Sequence, residues 1–279
     1  MKEHNGLSSA GRLFWADFIK NKKNNLVITN SLYEANDVYN RLLNYTNKVL
    51  FFPMDDFITS EVTDISPEFV IDRLITLNKL LGSGKYIVVT NLMGILRYLP
   101  NTKLYKNKII DINKNMDIDR DDFINKLFDL GYEKKPVVSR TGEMAIRGYV
   151  IDIFPIEFDN PIRIEFWGDT IDSIKYFDLD DQISNTSVDS VKIYPYTEFL
   201  IDGKIGDNII RKQKYLLNYS DSVSGLWDYV SDSVIFYYDY NQIINSYSLL
   251  RDNILEYDSE LDDDIKTNYM WDIEDISNK

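Results

Sequence analysis

Gly142-Glu-Met-Ala-Ile-Arg147-Gly148-Tyr-Val-Ile-Asp152-Ile-Phe154-Pro155, followed by Pro161-Ile-Arg163-Ile-Glu165-Phe-Trp167-Gly168-Asp169-Thr-Ile-Asp172-Ser-Ile-Lys-Tyr-Phe177, is the stretch that decides the fold of this 279-residue chain. Side chains alternate between the two faces of an extended strand. Ile162, Ile164 and Phe166 therefore form one face, and Arg163, Glu165 and Trp167 the other. Strands are expected over 144–154, 161–167, 170–177 and 191–194. Asp159-Asn160-Pro161 and Gly168-Asp169 are turn signals between them. Ile109–Ile112 adds a strand, and Asp119–Leu130 an amphipathic helix stopped by Gly131. Residues 109–195 thus read as an α+β domain, mostly antiparallel.

The chain on the N-terminal side has a different rhythm. Asn25–Asn30, Lys48–Phe52 and Tyr86–Thr90 are short apolar runs of the kind buried on both faces. Between them lie helical patterns. Ser31 caps one with Leu32, Ala35, Val38, Leu42 and Leu43 inward; Ser66-Pro67-Glu68 opens another with Phe69, Ile71, Leu74, Leu77 and Leu80 inward. Alternating strands and helices imply a parallel α/β sheet over residues 1–108. Residues 196–279 carry weaker signals, a strand at Val234–Tyr238 and a helix at Asn241–Leu255. They read as a return segment that completes the first domain.

Composition removes several kinds of chemistry. There is no cysteine, and His4 is the single histidine, so thiolate nucleophiles, cysteine-based metal sites and histidine-based triads are excluded. No metal site is expected. No apolar run is long enough to span a membrane and the N-terminus lacks a signal-peptide core, which points to a cytoplasmic protein with no membrane partner. The net charge of −14 opposes whole-surface attraction to nucleic acid. Residues 251–279 hold ten acids against Arg251, Lys266 and Lys279, a net −7. That is a solvated acidic segment; without a glycine it does not fit a calcium loop.

Four features bear on function. Gly6 and Gly11 have P-loop spacing, but Arg12 and Leu13 stand where that motif needs lysine and a hydroxyl. Leucine cannot ligate Mg²⁺, so this is a degenerate P-loop or a coincidence of spacing. Asp152, Glu157, Glu165, Asp169, Asp172, Asp178, Asp180 and Asp181 supply carboxylates, most of them expected in turns or facing outward, with nothing to select a catalytic pair. Lys20, Lys22 and Lys23 form a small basic cluster without the interleaved aromatics that stacking on bases requires. Arg147, Arg163 and Trp167 are the residue types enriched in interface hot spots. Their strand face is either a docking surface or a structural surface with the Trp covered by the preceding helix.

The same residues resemble a known family. Gly142–Pro155, with Arg163-Ile-Glu-Phe-Trp-Gly-Asp169-Thr-Ile-Asp172-Ser-Ile and Phe177-Asp178, is similar to the UvrB-homology module shared by the excision-repair protein UvrB and the transcription-repair coupling factors. Glu61–Leu74 and Tyr86–Leu92 also resemble the N-terminal region of the coupling factors. The resemblance implies a decayed RecA-like domain (1–108), an inserted UvrA-binding domain (109–195) and a segment returning to the first domain (196–279). It implies UvrA contacts at Arg147, Arg163 and Trp167, where the family has phenylalanine at the third position. Alanine at either arginine is expected to weaken UvrA binding and leave the fold intact. The resemblance further implies no catalytic residue and no cofactor in this module. ATP and Mg²⁺ would belong to a downstream motor, RNA polymerase and DNA to other parts of a longer parent, and a C-terminal domain would mask the UvrA-binding face. The rival is UvrB itself, a damage-binding ATPase. Arg12, Leu13 and the short acidic connection Pro53–Pro67, where UvrB carries a long hairpin, favour the coupling factors.

Overall fold

A computed structural model of the chain describes residues 10–55, 66–203, 216–220, 222–260 and 270–277. The chain divides into two compact units, Met1–Thr102 with Ile210–Lys279, and Lys103–Ile209.

The first unit is built on a four-stranded parallel sheet. Its order is Ser233–Tyr237, Asn24–Thr29, Ile87–Asn91, Val49–Phe52. The three strands from the N-terminal half are buried along their whole length, as apolar runs in a parallel sheet must be. Asn24–Ile28 pairs residue for residue with Ser233–Tyr237, so a segment more than 200 positions later lies against the first strand. Helix Leu32–Leu43 starts on a capping box: Ser31 Oγ accepts from the Glu34 N–H, and the Glu34 carboxylate accepts from the Ser31 N–H. Ala35, Val38 and Leu42 are buried, while Leu43, expected on the same face, is exposed. Phe14 and Phe18 of helix Ala10–Asn21 join them over Val27, Val49, Phe51, Ile87 and Val89.

The second unit holds a six-stranded sheet in the order Ser184–Ser187, Thr170–Phe177, Ile162–Trp167, Val150–Ile153, Glu143–Arg147, Glu133–Lys134. All pairs are antiparallel except the last. Helix Arg120–Asp129, capped by Asp119 accepting from the Asp122 N–H at 2.8 Å, lies on one face. Its Phe123 and Leu127 pack with Ile151, Ile153, Ile162, Ile164 and Phe166. A separate ribbon, Ile110–Asn113 with Ser190–Ile193, adds Ile112, Val191 and Ile193 to this core.

One expectation fails in a way that matters. Residues 144–154 are not a single strand but a hairpin, Glu143–Arg147 and Val150–Ile153, joined by Gly148-Tyr149. Gly148 has φ +59°, and Gly168 in the next two-residue turn has φ +62°. Glycine at the first central position with positive φ is the type II′ turn whose twist matches flanking strands. The hairpin inserts a strand between Arg147 and Arg163.

Candidate protein-docking site

Strand register places the site residues in cross-strand rows on the sheet face opposite the main core. One row is Ala145, Asp152, Arg163 and Lys175; the next is Arg147, Val150, Glu165 and Ser173; Trp167 and Thr170 follow. The alternation read from sequence puts Ile162, Ile164 and Phe166 in the core and leaves Arg163, Glu165 and Trp167 on the other side. The helix covers the core face, so the alternative in which it covers Trp167 is corrected: the indole is 83% exposed. Leaving so large an aromatic in water forgoes on the order of 2 kcal/mol of burial.

The two arginines converge on one carboxylate. Asp152 is 1% exposed. Arg163 grips it side-on, Nε to Oδ1 at 2.7 Å and Nη2 to Oδ2 at 3.0 Å, and Nη2 of Arg147 donates to the same Oδ2. Arg163 also donates from Nη1 to the Gln182 carbonyl at 3.2 Å, and its guanidinium lies 4.7 Å from the centre of the Phe177 ring. The Asp152 hydrogen bonds raise the already high pKa of Arg163. Beside Phe177, Val138, Ala145 and Phe154 form a small second apolar cluster, so one end of this face is closed over.

One expectation is overturned and another changes. Asp152, counted among carboxylates in turns or facing outward, is buried and saturated by arginine. Arg163 is largely buried, and its removal would leave Asp152 short of two charge-assisted hydrogen bonds, so alanine there is now expected to cost stability. The missing signal was register: once 144–154 is divided at Gly148, Asp152 falls directly opposite Arg163.

Arg147 differs. Its side chain is 47% exposed, and its Nε and Nη1 meet no partner among the described residues. Nearby, Glu165 accepts from Lys175 Nζ at 2.7 Å and from the Ser173 hydroxyl. Counted together, Arg147, Asp152, Arg163, Glu165 and Lys175 carry one net positive charge in a chain of net −14. Tyr149, at the hairpin tip, is a further exposed aromatic that sequence reading passed over.

Two carboxylates of this sheet make stability pH-dependent. The Lys175 ammonium and the Ser173 hydroxyl hold Glu165 below its ordinary value. Burial pushes Glu143 up, but the Ser139 N–H and hydroxyl, the Arg140 N–H and the Arg140 guanidinium outweigh it and leave Glu143 depressed. A depressed folded pKa contributes stability above the unfolded value that is lost as pH falls through the folded one. The urea midpoint is therefore expected to drop on acidification below about pH 4.5. Glu143→Gln should flatten that limb; an unchanged slope would refute the assignment.

The P-loop-like residues are described only in part. Gly6 lies outside the described residues, as do 56–65 of the Pro53–Pro67 connection. Gly11, Arg12 and Leu13 form the first turn of helix Ala10–Asn21, with Arg12 exposed. Gly11 has a packing reason: a Cβ there would come within 3.3 Å of the Arg41 Cβ. Among the described residues no group of acids and histidines could hold a metal, and no helix is long and apolar enough to cross a membrane.

Comparison with known proteins defines the class first. Residues 110–199, which contain the whole face, match the family described as the UvrB interaction domain. Longer matches then identify the relatives. The chain is 36% identical over 200 residues to the transcription-repair-coupling factor of Bacillus subtilis, covering 70% of this chain and 17% of that protein. It is 35% identical over 186 residues to that of Staphylococcus haemolyticus, covering 66% of this chain and 16% of that protein. The chain is a homologue of part of a transcription-repair-coupling factor, and the matched stretch spans about a sixth of those relatives' length.

Proposed function

We propose that residues 103–209 form a docking module for UvrA, and that the protein recruits UvrA to DNA where RNA polymerase has stalled at a lesion. The observation that carries this reading is the exposed Trp167 beside a half-exposed Arg147, on the face opposite the main core of a sheet that matches the UvrB interaction domain. An apolar plate flanked by a guanidinium fits a partner surface that offers an apolar pocket and a carboxylate. In this reading the parallel-sheet unit, Met1–Thr102 with Ile210–Lys279, is a decayed RecA-like domain, its bounds shifted from the expected 1–108 and 196–279. ATP, Mg²⁺, RNA polymerase and DNA are handled by other parts of a full-length coupling factor in the cytoplasm, and a C-terminal domain covers the Arg147–Trp167 face until it is needed. Titration of the purified chain into UvrA tests the proposal: saturable binding supports it, and no binding defeats it.

The chain itself is expected not to hydrolyse ATP. Leu13 offers no oxygen to Mg²⁺, and Arg12 replaces the lysine that reaches the phosphates. Arg12→Lys with Leu13→Thr should not restore turnover, because the two substitutions supply no arginine finger. Steady-state hydrolysis above a mock-purified control, or duplex DNA binding that persists at about 0.2 M salt, would favour a UvrB-like ATPase instead.

A further inference from the structure

The docking face contains a residue whose role differs from that of its neighbours. Asp152 is the only one of the five charged groups on this face with no exposure to speak of, and both of its oxygens are taken by arginine. Three nitrogens of Arg163 are already committed, two to Asp152 and one to the Gln182 carbonyl, with Phe177 beneath the guanidinium. Arg147 gives Asp152 a single nitrogen and keeps Nε and Nη1 without a partner among the described residues. A free arginine on a strand end samples many rotamers and loses that freedom on binding, whereas one already tethered loses little.

Resting on the docking reading above, we propose that Asp152 is a positioning residue for the partner. It tethers Arg147 through one N–H so that the guanidinium is held in place and its remaining donors are presented, already ordered, to acceptors of the partner, a carboxylate among them. Arg163 serves this arrangement through Asp152, holding the carboxylate in place from the buried side. The division of labour makes Arg147 and Trp167 the contacting pair and Asp152 with Arg163 the base on which they stand.

Positioning and plain charge attraction predict opposite effects of removing the Asp152 charge. If the face attracted an acidic partner by charge alone, removing the Asp152 charge would make it more positive and would tighten binding. Positioning predicts the opposite. Asp152→Asn keeps the shape, but its amide can meet the guanidiniums with only one oxygen, so Arg147 loses its tether.

The experiment is a double-mutant cycle with UvrA, measured by calorimetry on chains whose folding is verified by near-ultraviolet circular dichroism. Asp152→Asn is expected to weaken binding about 10-fold in the unchanged background and less than about 2-fold in the Arg147→Ala background, because the two act through one group. Unchanged or tighter binding by Asp152→Asn, or losses that simply add, would overturn the proposal while leaving the docking reading intact. Absence of UvrA binding by the unsubstituted chain would overturn the docking reading and this proposal with it. ¹⁵N relaxation of the Arg147 Nε–Hε group in the unsubstituted chain gives an independent reading that does not depend on Asp152→Asn folding. An order parameter near the rigid-backbone value of about 0.85 is expected, and one below about 0.6 overturns the tether.

Discussion

Arg147→Ala is expected to weaken UvrA binding about 30-fold, or roughly 2 kcal/mol, with little change in the melting temperature. The asymmetry follows from how the side chain is held. It is half-exposed and gives one N–H to Asp152, which keeps its two bonds from Arg163 when Arg147 is lost. No buried carboxylate is orphaned, so stability should move by about 0.5 kcal/mol, as for an ordinary surface change. The donors lost are those the partner would use. Calorimetry with UvrA and a thermal melt of the same preparation check both halves. Wild-type affinity in a folded variant would remove Arg147 from the interface.

Arg163→Ala should behave in the reverse order, with destabilisation first. Removing one partner of a buried ion pair typically costs about 3–5 kcal/mol because the other charge stays buried. Here Arg147 still reaches Asp152, so about 2–3 kcal/mol is expected, together with the loss of the guanidinium over Phe177. For a unit of this size that is a fall in melting temperature of roughly 10 °C. Asp152→Ala combined with Arg163→Ala should recover part of the loss, because no charge is then left buried without its main partner. A single Arg163→Ala chain that melts with the parent would show that the buried cluster carries no weight.

How much of this was legible beforehand divides along physical lines. The runs at 25–30, 48–52 and 86–90 announced buried parallel strands because each has consecutive apolar residues at its centre, Leu26–Ile28, Val49–Phe52 and Ile87–Val89, and the structure has strands at Asn24–Thr29, Val49–Phe52 and Ile87–Asn91. Their order in the sheet, with Ser233–Tyr237 on the outside of the first strand, depends on contacts more than 200 residues apart that no local pattern encodes. The Ile162–Phe166 alternation fixed which way Arg163 and Trp167 face. What it could not give was the depth of each side chain on that face. Arg163 and Trp167 share a parity, yet one lies over Phe177 and against Asp152 while the other stands in solvent, because the second apolar cluster closes only one end of the sheet. Asp152 was hidden for a related reason. Reading 144–154 as one strand overlooked that Gly148, at φ +59°, turns the chain and brings Asp152 opposite Arg163. Segments such as Glu133–Lys134 and Ser184–Ser187 have too little apolar character to be seen as strands; their neighbours in the sheet impose the conformation.

The central claim is that UvrA docks on the Arg147–Trp167 face. Hydrogen–deuterium exchange of the chain with and without UvrA tests it most directly, because it reads every amide of the folded protein without substitution. Protection on complex formation is expected in the two turns that frame the face, Gly148-Tyr149 and Gly168-Asp169, and in the adjoining ends of strands Glu143–Arg147 and Ile162–Trp167, with the parallel sheet around Asn24–Thr29 unchanged. Protection confined to the parallel-sheet unit, with both turns exchanging as in the free chain, would contradict the account.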